Sequence, residues 1–447
     1  MGSAGTEAAC GAWARAAVGV LVVALALCVV GVRPAASASP SATAAAPARP
    51  LRTAVVDPPA FARTDRADAF AHVRRAGAGL VRLILDWAAV APRGSTRPSA
   101  FRARDHEDPG YRWEGFDAQV REAVAAGLVP VVDLVNAPAW AQDPGPRERP
   151  SDGPRRPMPT ALEDFAFAAA TRYGGGIPEL PRVRHWQVWN EPNLSYYLNP
   201  QEVGGRLFSP AWYRAMVNSA AKGLRRVHGD NLVVAGGLAP HGPRDTRGVE
   251  GIAPLRFMRA VLCMSAGPRP RPTCRAKVAF DVWSTHPYTS GGPTTSAGYP
   301  DDVSLGDLAE VHELLRAAER AGHVDTRRRV GLWVTEFSWD TRPPDPRGVP
   351  LALHARWVSE ALYRMWRAGV DLVTWYGLRD APYPREPAQS GLYFRSSRGV
   401  AADRPKRALR AFRFPFVALR EGASRIVFWG RIPDAGTRTV VVEQSGP

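Results

Sequence analysis

Gly115–Val135 reads GFDAQVREAVAAGLVPVVDLV, and this stretch holds one repeating unit of the fold. Gly115–Ala126 has the apolar spacing of an amphipathic helix. Gly127 follows as a stop, since glycine takes the left-handed backbone that closes a helix without a steric penalty. Val129–Val135 is then a short, β-branched run of the kind that forms a buried strand. Helix, glycine stop and strand recur along the chain. The stop returns at Arg75-Ala76-Gly77, Arg320-Ala321-Gly322 and Arg367-Ala368-Gly369.

Seven more strands are expected at Thr53–Val56, Leu80–Leu85, Val183–Trp189, Leu232–Gly236, Phe280–Thr285, Val330–Thr335 and Leu372–Trp375. Helical patterns lie between them at Asp65–Ala76, Ala161–Tyr173, Ser209–Val227, Ser304–Ala321 and Leu351–Ala368. Eight strands alternating with helices predict an α/β chain folded as a (β/α)8 TIM barrel. The connections are asymmetric. Helices run into strands through tight glycine turns, whereas the long Pro/Gly-rich loops 88–113, 137–159, 192–208, 238–253, 287–303 and 338–349 all follow strands. Loops built up at the C-terminal ends of barrel strands mark the face that carries chemistry. An open doubly wound sheet is the competing fold, but the glycine-rich phosphate turn that usually follows its first strand is missing.

The barrel is assigned to residues 51–412. Beyond it, 413–447 read as a short C-terminal β appendage, a hairpin of Arg425–Gly430 and Thr437–Val442 joined by Pro433-Asp434-Ala435-Gly436. At the other end, Arg15 precedes an apolar run from Ala16 to Val32, then Ala36-Ser37-Ala38. That layout predicts a secretory signal over 1–38, cleaved near Ala38, followed by a disordered linker over 39–50. The expected location is extracellular; a membrane association follows only if the leader stays uncleaved as an anchor. Cys263 and Cys274 are then the mature chain's only cysteines, and in an oxidising compartment they are expected to form a disulfide. With no histidine nearby, they cannot complete a metal shell.

The chain has 447 residues and a net charge of +16, from 58 Lys+Arg against 42 Asp+Glu. All the basic residues except Lys222, Lys277 and Lys406 are arginines, scattered rather than arrayed in a stripe with aromatics. This argues against a nucleic-acid partner.

His185-Trp186-Gln187-Val188-Trp189 runs straight into Asn190-Glu191-Pro192-Asn193, and Gly331-Leu332-Trp333-Val334-Thr335 runs into Glu336-Phe337. Each places a carboxylate at a strand's C-terminal end, on opposite sides of a barrel roughly 15 Å across. Two side chains reaching inward can come within about 5–5.5 Å, the separation at which one carboxylate attacks a sugar while the other works as acid and base.

Trp189-Asn190-Glu191-Pro192 after the fourth strand, with a glutamate ending the seventh, resembles clan A of the retaining glycoside hydrolases. The resemblance is to the β-xylosidase/iduronidase-like family 39 and the cellulase-like family 5, over roughly residues 52–412. It implies Glu191 as general acid/base, Glu336 as nucleophile and Asn190 as partner of the sugar 2-hydroxyl. Arg82 is similar to the arginine that bonds the nucleophile, and Tyr288 to the tyrosine that orients it, with His286 lining the adjacent subsite. Trp375 looks like the clan's aromatic platform under the sugar ring. Asn136, in Asn136-Ala137-Pro138-Ala139-Trp140, resembles a family 39 turn and stands where family 5 often has histidine. No metal or cofactor is expected. A transglycosylase shares the first half-reaction, and a catalytically inactive carbohydrate-binding barrel would share the fold. A serine hydrolase is disfavoured because no G-x-S-x-G is present.

Overall fold

The computed structural model describes residues 50–143, 145, 155–242, 251–423, 425–433 and 441. The expected signal, and all of the linker except Pro50, lie outside the described residues. Among those described, no helix is long and apolar enough to cross a membrane.

Eight parallel strands close into a barrel: β1 Arg52–Val56, β2 Leu80–Asp86, β3 Val129–Val135, β4 His185–Val188, β5 Leu232–Leu238, β6 Val282–Thr285, β7 Gly331–Val334 and β8 Leu372–Tyr376. Each pairs with its sequence neighbours, and β1 closes on β8 through Arg52↔Leu372 to Val56↔Tyr376. Each strand is followed by a helix: α1 Arg66–Arg75, α2 Glu114–Ala125, α3 Pro159–Arg172, α4 Ser209–Val227, α5 Pro254–Leu262, α6 Leu308–Arg320, α7 Leu351–Arg367 and α8 Arg407–Arg413. The anticipated glycine stops have positive φ: +76° at Gly77, +75° at Gly127, +73° at Gly322 and +94° at Gly369. Helices α5 and α8 were not anticipated, being short and set beside proline-rich or arginine-rich sequence. The expected Ser304–Ala321 helix begins instead with a 3-10 turn, Leu305–Asp307, closed by reciprocal bonds between Ser304 and Asp307.

Strand alternation divides the barrel into two cores. Ala54, Leu80, Val131, Val234, Val282, Trp333 and Leu372 point inward and fill its floor. The opposite set, including Val81, Val132, Trp186, Trp283 and Trp375, packs under the helices. Helices α3 and α4 approach so closely that a Cβ on Gly223 would stand 2.4 Å from the Glu163 carbonyl oxygen. Above the floor, the inward residues turn polar: Arg82, Asp133, Gln187, Ser284 and Thr374 are all buried. This polar layer is the base of the site.

Aromatic contacts hold the long loops that follow β2 and β3. The Trp87 ring stacks on Phe165 at 4.9 Å and meets Trp140 edge-on at 5.9 Å. Trp140 Nε1 donates to the Pro92 carbonyl at 2.9 Å. Cys263 and Cys274 are joined as a disulfide.

The C-terminal appendage holds a hairpin that the expectation did not include. The partner of Arg425–Gly430 is the preceding segment, Phe416–Glu421, in antiparallel register from Phe416↔Gly430 to Glu421↔Arg425. Gly422, at φ +74°, lies in the tight turn between these two strands. Apart from Val441, Thr437–Val442 lies outside the described residues. Trp429 anchors the hairpin against Tyr363 and Trp366 of α7, with ring centroids 5.6 and 5.8 Å away.

Candidate active site

β4 ends at Val188, earlier than expected, because the backbone leaves extended geometry at Trp189 (φ 72°) and again at Glu191 (φ 41°). Non-glycine residues at positive φ cost about 1–3 kcal/mol each, so the surrounding bonds must impose this turn. Trp189 is buried, its Nε1 donating to the Tyr197 carbonyl at 2.9 Å. The Glu191 amide donates to the Gly237 carbonyl at 2.9 Å. Asn193 ties this loop to the segment after β5, donating to the Ala239 and Ile252 carbonyls and accepting from the Ala239 amide. The outcome is a rigid bend that delivers Asn190 and Glu191 to the mouth of the barrel.

Glu336, just after β7, is held from three sides. Arg82 Nη1 donates to Oε1 at 2.5 Å, the Tyr288 hydroxyl donates to Oε2 at 3.2 Å, and His286 Nδ1 lies 3.9 Å from Oε2. The same His286 Nδ1 lies 3.0 Å from Glu191 Oε1, while its Nε2 is 3.1 Å from Thr335 Oγ1. His286 therefore bridges the two carboxylates. One oxygen of Glu191, one oxygen of Glu336 and a His286 nitrogen all lie within 4.8 Å of one another. Both glutamates keep a little contact with solvent, 16% for Glu191 and 15% for Glu336.

The electrostatics follow from this packing. Burial works to raise the Glu336 pKa, but the pull of His286 and Arg82 and the bonds from Arg82 and Tyr288 more than reverse it. Glu336 is thus held below the usual carboxylate range. Burial alone would lower Arg82, yet the flanking carboxyls of Asp133 and Glu336 raise it further above the range of an ordinary arginine. Tyr288 is driven well up by burial and by the neighbouring Glu336 charge, so its hydroxyl stays a donor.

Asn190 Oδ1 accepts from Arg82 Nη2 at 2.8 Å, which fixes the amide plane and turns its NH2 away from Arg82. Asn136, at φ 55°, donates to Asp86 Oδ2 at 3.0 Å. Glu336, Asn190, Asn136 and Tyr288 all line one open cavity of about 510 Å³. This cavity shares Asn136, Tyr196 and Tyr197 with a cavity on one side, and Pro58 and Tyr376 with one on the other.

Trp375 corrects the expectation made for it. It is 1% exposed, donates from Nε1 to the Ser390 carbonyl at 2.9 Å and packs on His354 and Phe412. It therefore lies under the helices and reaches no sugar. Strand parity is the reason: Leu372 and Thr374 face inward, so Trp375 faces out. The next residue, Tyr376, turns toward the cavity. Sequence reasoning missed Tyr376, and also Tyr197, which lines the same cavity as Asn190. The available signal was Thr374, a polar residue inside an apolar strand, which marks the inward face two residues before Tyr376.

No protein-family model matches the chain, and no curated protein matches it significantly. Solved structures do. A monomeric β-xylosidase from Caulobacter crescentus CB15 aligns with a TM-score of 0.51 and 19% identity, over 81% of this chain and 66% of that one. The GH39 enzyme from Xanthomonas axonopodis pv. citri gives 0.51 and 18%, over 81% and 65%. The β-glycosidase from Thermosphaera aggregans gives 0.50 and 14%, over 81% and 95%. The chain spans just under two thirds of the length of the first two. The likeness establishes the fold, a (β/α)8 barrel.

Proposed function

We propose that the protein is a secreted, retaining glycoside hydrolase that cleaves the O-glycosidic bonds of an oligo- or polysaccharide by double displacement. The observation that carries this reading is the approach of the Glu191 and Glu336 carboxylate oxygens to within 4.8 Å at the barrel mouth. Inverting chemistry needs about 6.5–9.5 Å to admit a water, whereas retaining chemistry works at about 5–5.5 Å.

Glu336, kept ionised by its neighbours, attacks the anomeric carbon. Glu191 gives a proton to the departing oxygen as that bond breaks, leaving the sugar as an ester of Glu336. Glu191 then takes a proton from water, which attacks the same carbon and releases a product of unchanged configuration. The Asn190 amide, oriented by Arg82, is placed to hydrogen-bond a hydroxyl of the reacting sugar. Cavities continuing past Tyr376 and past Tyr197 leave room for flanking sugars. The leader-like N-terminus and the Cys263–Cys274 disulfide support export.

A panel of aryl β-glycosides (gluco, xylo, manno, galacto, glucurono) tests the reading and finds the sugar. Glu336→Ala is expected to abolish turnover. Glu191→Ala is expected to lose at least about 10²-fold on poor leaving groups, to keep glycosylation by activated ones and to be rescued by azide. Wild-type rates in both variants would overturn the assignment.

A further inference from the structure

Arg82 has a carboxylate on either hand. Nη1 donates to Glu336 and Nη2 donates to Asp133 Oδ2, both at 2.5 Å. Arg82 and Asp133 are sealed in the barrel, with side chains 1% and 0% exposed. A closed space of this kind tolerates a paired charge and resists an unpaired one. With Glu336 ionised, Arg82 already has its anion, and a second negative charge on Asp133 is in excess. Once Glu336 has become an ester it is neutral, and Arg82 would face no anion unless Asp133 supplies one. One cation needs one anion at each stage, and two carboxyls are present to provide it in turn.

The surroundings of Asp133 fit this exchange. It is faced by Arg82 from β2, by Glu336 and His286 from the ends of β7 and β6 and by the neutral Gln187 amide of β4 at 3.4 Å, with the Tyr213 hydroxyl of α4 near enough to feel its charge. Arg82 supplies its one charged hydrogen bond. Its other oxygen, Oδ1, is buried and accepts no hydrogen bond from any described residue, so it is open to a proton. Burial, with the Glu336 charge adding to it against Arg82 and His286, raises the Asp133 carboxyl to about 7.

We propose that Asp133 is an exchangeable counter-ion: it holds a proton in the resting enzyme and releases it as Glu336 is esterified, so that Arg82 always faces one anion. The proposal rests on Glu336 being the nucleophile. In the step, the bond from Glu336 to the anomeric carbon forms and the bond to the leaving oxygen breaks, with its electron pair going to that oxygen. The Asp133 proton passes to solvent and returns when water hydrolyses the ester. Asp133 touches no sugar; it acts through Arg82.

The test uses the Glu191→Gln enzyme, in which Glu191 cannot contribute a proton. It is treated with the 2,4-dinitrophenyl 2-deoxy-2-fluoro-β-glycoside of xylose or glucose, whichever parent sugar it turns over, because the phenolate leaves without protonation. Proton release is followed with an indicator in weak buffer at about pH 6, below the Asp133 pKa. Glu191→Gln is expected to release close to one proton more per labelled enzyme than Glu191→Gln/Asp133→Asn. Equal release by the two would overturn the proposal. Should the double variant not fold, infrared difference spectra of Glu191→Gln alone decide: labelling is expected to remove one protonated-carboxyl band, and its persistence or absence throughout is the contrary result. If intact mass shows no added sugar on Glu336, the nucleophile assignment fails, and this proposal fails with it.

Discussion

Glu336 is ionised because of what touches it, and this shapes how activity depends on pH. Its folded pKa lies below the ordinary carboxylate value, with burial opposing and the influence of His286 and Arg82 and the hydrogen bonds prevailing. The ionised form is the attacking one, so on the acid side activity should persist until pH falls through this depressed value. The same ionisation favours folding above the unfolded carboxyl pKa, and that contribution disappears as the solution is acidified. Arg82→Gln removes the fully buried cation. It should move the acid limb of kcat/KM upward by about 1–3 pH units, the span that a close opposite charge typically controls. A pH–rate profile on an activated aryl glycoside measures it; an unmoved limb would mean that Arg82 does not set the state of Glu336. Arg82 was reached from the sequence through the family resemblance, and its position inside an apolar strand is the physical mark that goes with it. Asp133 and Gln187 carried the same mark, polar residues inside apolar runs, but their joint layer depends on how the strands stand side by side.

The strand β8 shows what a one-residue parity decides. Trp375 and Tyr376 are neighbours in sequence and belong to opposite faces, one in the shell under α7 and α8, the other at the cavity. Two substitutions should therefore have opposite signatures. Trp375→Phe is expected to lower stability by about 1–3 kcal/mol, through lost packing and the lost bond to Ser390, with kcat/KM within about threefold of wild type. Tyr376→Ala is expected to reduce kcat/KM at least tenfold while the melting temperature changes little. Paired thermal denaturation and kinetics read both, and the reverse pattern would return the platform to Trp375. The eight strands were visible because β-branched runs and glycine stops are local signals. Face within a strand is less local, being fixed by what lies beneath it. The tail illustrates the same limit: Arg425–Gly430 was recognisable as a strand, but its partner Phe416–Glu421 was concealed by charged residues and by its closeness to α8.

Across the whole molecule, stability and chemistry are separated along the barrel axis. The floor is apolar, and the helices return to it through tight glycine turns. Long loops gather at the other end, pinned by Trp87, Trp113 and Trp140 against Phe165 and one another. This asymmetry was readable from loop lengths alone, because insertions are tolerated only where they do not disturb the packed floor. The distance between the two glutamates was not, since it depends on the bends at Trp189 and Glu191 and on His286 standing between them. That distance is the centre of the account, and the stereochemistry of a single turnover tests it most directly. Proton NMR of the first product from a β-glycoside, recorded before mutarotation, should show the β anomer. Initial release of the α anomer would mean direct displacement by water, and would contradict a pair of carboxylates whose oxygens lie within 4.8 Å of each other.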